Sequence, residues 1–371
     1  MKKKTAVITV LDNITETSMP FNEFVLYRSH HHPEEAHILI VCGKDKGLPN
    51  VDIPKNLKII YTGKSLFRIR KTIKGVIQKC KTSDTPYMIH LHQVQSALLA
   101  EISMFGTKFR KKVLFTVHNT FTGYSFHNKV LSFVNALFAY RISCVSKTAY
   151  KHYPKPVKKI KKDRIFPIQN GVDTERIDKI LNNTVKEETK ETNNTVDFIY
   201  VARMVPVKNH KFLIDVLKKT NQNVRFIFVG QEDEKKEIRE YAKENGVTDR
   251  LVFTGLIPRN EVFQLLSRSD AYISSSVLEG LPVSVLEAMY CSLPCILSDI
   301  PQHKEAGEGA GKEIRILPLE TDLWVEEINQ YSLLSKEERM ALGQRARSFV
   351  KDNFSLEKMH RQYGAVYELL Q

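Results

Sequence analysis

Thirteen short apolar runs, spaced by amphipathic stretches, most constrain what this chain can fold into. Seven lie in the first half, at 5–11, 36–42, 57–61, 87–91, 112–117, 141–145 and 164–168. Six follow at 197–202, 224–229, 251–254, 270–274, 293–297 and 314–317. Most are apolar at both parities, the pattern of strands buried on both faces. Helical periodicity recurs between them, at 66–81, 128–140, 208–219, 232–245, 260–267 and 321–334. Ser335 and Glu338 form a capping box that opens a helix of about four turns, and a last helix spans 355–370. Strands alternating with helices imply parallel sheets covered on both faces.

The gap between the two series is almost wholly polar. Residues 182–195 read as a loop joining two doubly wound α/β domains. A length of 371 residues suits two domains of ~100–200 each. Five scattered cysteines, an odd number, argue against a disulfide framework and for a reducing, cytoplasmic setting. Cys291 and Cys295 lack the partners of a zinc site. The amino terminus, Met1 to Leu11, lacks a small-residue cleavage site and reads as a first buried strand. No apolar run reaches the ~18 residues of a membrane span.

Charge is unevenly placed. Residues 1–170 hold 29 Lys+Arg and 10 Asp+Glu, a balance of +19. The whole chain holds 56 and 42, which leaves 27 and 32 for the remainder, or −5. An acidic partner for the first domain alone would suit that asymmetry.

In open α/β sheets, ligands bind beyond the carboxyl ends of the strands. Several reactive residues fall there. His118 and Asn119 follow the fifth run, Arg203 the eighth, and Gly230 the ninth. Leu256 and Pro258 follow the tenth, and Glu279 the eleventh. Lys208 and Asn209 open the helix after Arg203. A guanidinium clamps two phosphate oxygens and an ammonium adds a point charge, so Arg203 and Lys208 suit a diphosphate. Glu279 and Glu287, eight positions apart, are acceptors suited to ribose or sugar hydroxyls. Pro282 fits the start of the helix carrying Glu287, whose free N–H groups favour phosphate. Together these describe a nucleotide-sugar site.

The runs Tyr200 to His210, Phe228-Val229-Gly230, Phe253-Thr254-Gly255, Ser274 to Met289 and Asn170 to Asp173 resemble glycosyltransferase family 4. The resemblance is strongest over 165–300. It implies a GT-B fold, two Rossmann-like doubly wound parallel-sheet domains facing across a cleft. It implies an acceptor-binding domain at 1–175, a donor-binding domain at 176–354 and a helix at 355–371 crossing back to the first. By the same resemblance Arg203 and Lys208 hold the donor diphosphate, and Glu279 contacts the donor sugar with Gly280, Leu281 and Pro282. Glu287 binds the ribose, and Gly230, Leu256, Pro258 and Asn209 border the donor. His118 orients the reacting sugar, with His92, Asn119 and Ser18 as acceptor-side candidates. A retaining transfer without cofactor or metal is implied, the leaving phosphate taking the acceptor proton. The 12–22 loop departs from the family in having no glycine. A nucleotide-sugar epimerase and a silent partner subunit are the alternative activities.

Other motifs carry less. Gly63-Lys64-Ser65 lacks the first glycine of a P-loop, and His30-His31-His32 reads as a solvated loop. The cations of 67–79 and of 151–164, interleaved with apolar residues, suit an anionic membrane surface. No nucleic-acid motif accompanies them. The expectation is a cytoplasmic enzyme, peripheral on the inner face of the membrane. Its substrates would be a nucleotide sugar, UDP-linked, and a saccharide or lipid-linked acceptor.

Overall fold

The computed structural model describes residues 5–15, 19–45, 47–48, 51–183, 195–232 and 237–370. Ser18 lies outside them, as does most of the polar 182–195 segment. The chain divides into two units, Met1–Gly171 with Leu356–Gln371, and Val172–Ser355.

Unit 1 contains β1 (Ala6–Leu11), β2 (Ala36–Val41), β3 (Leu57–Tyr61), β4 (Tyr87–His92), β5 (Val113–Val117), β6 (Arg141–Cys144) and β7 (Ile165–Pro167). They form one sheet, ordered β3-β2-β1-β4-β5-β6-β7, with every pair parallel. The helix Leu66–Thr82 lays Ile69, Ile73 and Ile77 on Ile8, Val10 and Ile40. Full burial of each such isoleucine stabilises by about 1.5–3 kcal/mol. The opposite face receives the last helix, Leu356–Glu368, through Leu356, Met359, Tyr363 and Tyr367.

Unit 2 contains β8 (Val196–Val201), β9 (Val224–Val229), β10 (Leu251–Gly255), β11 (Ala271–Ser274), β12 (Cys295–Ser298) and β13 (Ile314–Leu317). Their order is β10-β9-β8-β11-β12-β13, again all parallel. Its core is aromatic, with Phe198, Phe226, Phe228, Tyr272 and Trp324 all fully enclosed.

All thirteen apolar runs are strands, with ends shifted by a residue or two. Four sequence expectations need correction. The 12–22 loop is shorter than expected, because helical backbone begins at Pro20, whose fixed φ suits a first turn, and runs to His31. The helix expected from Lys208 starts at His210; Lys208 closes a separate 3-10 turn, and Asn209 lies between them with φ 53°. Among the described residues the helix expected over 232–245 covers Glu237–Glu244. The lysine-rich 151–164 segment contains a short helix, Lys155–Lys161, and a 3-10 turn, Lys162–Arg164, and its lysines are not uniformly solvated. Lys161 is buried, donating to the carbonyls of Leu137 and Ala139 at the end of the helix Phe126–Phe138. A cation is favoured at that carboxyl end. Lys158 donates to the carbonyls of Tyr150 and Lys151, while Lys155, Lys159 and Lys162 remain exposed.

All five cysteines are buried with free thiols. Among the described residues no helix is long and apolar enough to cross a membrane.

Candidate active site

In unit 2 the strand order reverses between β8 and β11, the place where the ligand crevice of an open α/β sheet lies. Four expected residues, Arg203, Lys208, Asn209 and Glu279, sit on those two loops. The loops are fastened to each other. Val277 N donates to Val207 O at 3.0 Å. Ser275 Oγ donates to the carbonyls of Lys208 (3.1 Å) and Asn209 (2.9 Å). The Tyr200 hydroxyl reaches Lys208 O at 3.1 Å and Ser276 Oγ at 2.7 Å. Tyr200 is itself fixed by stacking on His210, with ring centroids 4.8 Å apart. The backbone under Lys208 is therefore held from two directions.

That positioning aims its ammonium at Glu279, with Nζ 2.5 Å from Oε1. The side chains are only 20% and 13% exposed, so this is a largely desolvated ion pair. Arg203 is exposed, and among the described residues its guanidinium has no side-chain partner. The crevice thus presents one internally compensated charge pair and one uncommitted cation.

Gly230 is required where the β8 and β9 loops meet. Its φ is +147°, and a Cβ there would lie 2.1 Å from Ala202 O. Around it Ala202 N donates to Val229 O, and Gly230 N to Gly255 O, at 2.9 and 3.0 Å. Leu256 beyond this junction is 71% exposed. Pro258 caps the helix Arg259–Arg268. Pro282 is the cap of the helix Val283–Tyr290, one position before its first helical residue, with Gly280 and Leu281 immediately upstream.

Glu287 lies within that helix and is buried. Desolvation raises its carboxyl pKa, opposed chiefly by Arg259 and then by Arg176. Arg259 makes a direct ion pair with it. Arg259 was not among the residues expected from the sequence. A signal was present: it occupies the first position of a helix, where the dipole disfavours a cation unless it has another task. His303 was also missed. It is fully buried behind Ser298 and Ser274, and burial lowers its pKa to about 4.

Unit 1 has its own reversal, between β1 and β4. Asp12 N there donates to Gln93 Oε1 at 2.8 Å, and Gln93 is held at φ 61°, unusual for a residue with a side chain. His92 ends β4 and His118 follows β5, with His92 Nδ1 2.9 Å from His118 Nε2. His92 is wholly buried and His118 half-buried. Phe24 packs on both rings, at centroid distances of 4.7 and 5.8 Å.

Below them His90 spans Tyr367 (Nδ1 to hydroxyl, 2.7 Å) and Thr116 (Nε2 to Oγ1, 2.6 Å). Burial lowers the pKa of all three histidines, that of His118 to about 4, so they are neutral near pH 7. His92 Nε2 is buried without a partner. An orphaned lone pair is easier to bury than an orphaned N–H, which puts the His92 proton on Nδ1, donating to His118. His118 then carries its own proton on Nδ1. Asn119 follows, its side-chain oxygen accepting from Thr120 N at 2.8 Å. Ser18 lies outside the described residues.

The family models match in two blocks. Glycosyl transferases group 1 covers residues 182–349 and Glycosyltransferase Family 4 covers 24–176. The chain belongs to glycosyltransferase family 4. It is 30% identical over 205 residues to the capsular polysaccharide biosynthesis glycosyltransferase CapH of Staphylococcus aureus, covering 52% of each chain. It is 25% identical over 268 residues to the UDP-Gal:alpha-D-GlcNAc-diphosphoundecaprenol alpha-1,3-galactosyltransferase of Escherichia coli, covering 66% of this chain and 64% of that one. The chain spans 52% of the length of the first of these relatives and 64% of the second. HepE of Anabaena, solved in complex with UDP and glucose, superposes with a TM-score of 0.74 at 15% identity, over 98% of this chain and 99% of its own. That likeness identifies the fold as GT-B.

Proposed function

We propose that this chain is a retaining glycosyltransferase. It moves a hexosyl or N-acetylhexosaminyl group from a UDP-linked sugar to a saccharide or lipid-linked acceptor, in cell-surface polysaccharide or glycolipid synthesis. The observation that carries the proposal is the exposed, uncommitted Arg203 beside the Lys208–Glu279 pair in the unit 2 crevice. A UDP donor is supported by the galactosyltransferase relative, whose name specifies UDP-galactose, and by the UDP-bound HepE structure.

Breaking the bond from the anomeric carbon to the diphosphate leaves charge on the departing phosphate. Arg203 and Lys208 stabilise that charge more than the ground state, so they lower the barrier. Glu279 accepts from donor-sugar hydroxyls and keeps Lys208 in place when the donor is absent. Glu287, anchored by Arg259, accepts from the ribose hydroxyls. The phosphate oxygen takes the acceptor proton, so no side-chain base and no metal is assigned. His118, neutral and with its proton on Nδ1, orients the sugar as a hydrogen-bond donor. The basic excess of residues 1–170 favours attachment to an anionic membrane.

The test is transfer from UDP-sugars, with the product followed by proton NMR. Arg203→Ala should reduce kcat/KM by about 10²–10³ with an unchanged melting temperature. Near-normal transfer by that variant removes the diphosphate assignment. A product of inverted anomeric configuration removes the retaining mechanism, and donor conversion without an acceptor makes the enzyme an epimerase.

A further inference from the structure

One face of the unit 1 sheet is incompletely covered. The connection from β2 to β3 carries no helix among its described residues, and Leu48, Val51 and Ile53 of that connection pack on the far face, with Leu39 and Leu57. On the near face the helix Leu66–Thr82 flanks β1, β2 and β3, and a groove of about 680 Å³ runs between that helix and the strands. Ala36, Ile38 and Ile60 line its floor and Val76 its wall. Gly75 stands in the middle of the helix, and a Cβ built on it meets no atom within 4 Å. A glycine inside a helix costs about 1 kcal/mol relative to alanine, and here the missing side chain widens the groove.

The mouth is basic. Lys58 on the edge strand β3 and Lys71 and Lys79 on the helix all line it. No acidic side chain does so among the described residues. Lys71, Gly75 and Lys79 are spaced at i, i+4 and i+8, so the two lysines flank the open position with Cα atoms about 12 Å apart along the axis. A lysine on an edge strand discourages strand addition, which disfavours a peptide as occupant. An apolar trough under a ring of cations fits an alkyl chain ending in phosphate.

We propose that this groove binds an anionic membrane lipid, one hydrocarbon chain lying against Ile38, Ile60 and Val76 and the phosphate among Lys58, Lys71 and Lys79. The groove lies at the amino ends of the strands, the opposite sheet edge from Asp12, Gln93 and His118. Its occupant anchors the chain and is not the acceptor. The inference is independent of the transferase reading, because it concerns binding alone.

The test is calorimetric titration of the full chain with dodecyl phosphate below its micelle concentration. Decyl phosphate and the uncharged dodecyl maltoside serve as comparisons. Each buried methylene is worth about a four-fold gain in affinity, so the dodecyl chain should bind about 15-fold more tightly than the decyl. Gly75→Leu fills the trough with a better helix former. It should lose at least about ten-fold in affinity without a lower melting temperature. Equal binding by Gly75→Leu, equal binding of the maltoside, or no dependence on chain length overturns the proposal. So does a dimer of the wild-type chain in light scattering that Gly75→Leu abolishes, since the occupant would then be a second copy.

Discussion

Lys208→Met should do more than remove a phosphate ligand. Lys208 and Glu279 form a pair with side chains only 20% and 13% exposed. Removing the lysine leaves a carboxylate desolvated and uncompensated, a change that costs about 3–5 kcal/mol when burial is complete. The residual exposure puts the expected loss near the lower end, about 3 kcal/mol. Unit 2 spans 355 − 172 + 1 = 184 residues. For a domain of that size about 2–4 °C is lost per kcal/mol, so the melting temperature of unit 2 should fall by about 6–12 °C.

The double variant Lys208→Met/Glu279→Gln removes both charges and should recover most of that stability, because the penalty lies in the stranded carboxylate. Activity should behave differently. Both variants lack the cation that meets the departing phosphate, so transfer should stay about 10²–10³ below wild type in each. UDP affinity separates them again. In the single variant an uncompensated carboxylate faces the diphosphate, and binding should be weaker than in the double variant. Calorimetric melting and UDP titration of the three proteins read all of this. A single variant that melts like wild type, or a double variant that recovers nothing, refutes the reasoning that Glu279 depends on Lys208.

Gly230→Ala should cost about 2–4 kcal/mol and weaken UDP binding, since its Cβ would meet Ala202 O at 2.1 Å and displace the loop carrying Arg203; wild-type melting would refute that close approach. Acid should weaken unit 1 before unit 2. Burial depresses the pKa of His37 and His360 to about 3, against 6.5 unfolded, and also lowers those of His90, His92 and His118. Such groups contribute fully above pH 6.5 and lose their contribution as pH falls toward the folded values, about 2 kcal/mol each for His37 and His360 by pH 5. Unit 2 holds two similar histidines, His210 and His303. Hydrogen exchange at pH 7 and 5.5 should show protection lost first in β2, β4 and the last helix, which carry His37, His90, His92 and His360; earlier loss in β8 and β11 refutes it.

The strands were legible because a doubly covered strand must be apolar at every position. Helices with weak local signals were not. Val94–Ser103 buries Ser96, Glu101 and Ser103 beside its apolar residues and starts after Gln93 without a side-chain cap, so it lacks both a clear apolar periodicity and a start signal. Lys155–Lys161 hid inside a charge run, and Lys161 reads as a surface lysine until the helix end it serves is placed beside it. In the candidate site, Arg203, Lys208 and Glu279 were readable from their place in the loops after β8 and β11, and Glu287 from its spacing to Glu279 in the helix that follows. The Arg259–Glu287 pair required knowing that two helices, 28 residues apart in sequence, lie side by side. The hydrogen bond from His90 to Tyr367 spans 277 residues, and no local pattern announces it.

The two-part composition of unit 1 bears on how the protein is made. Unit 2 is one unbroken stretch, Val172–Ser355, whose first and last residues pair with each other. It is inserted into unit 1, whose last helix is synthesised only after unit 2 is complete. At ~5–20 residues per second, the roughly 200 residues from Gly171 to Glu368, where that helix ends, take about 10–40 s to emerge. During that interval His90 lacks the Tyr367 hydroxyl, and the apolar sheet face that receives Met359 and Tyr363 is bare. The amino-terminal segment is thus born first and finished last. A nascent chain of this protein spends that time with a ready-made site for chaperones, and unit 2 can close without waiting for it.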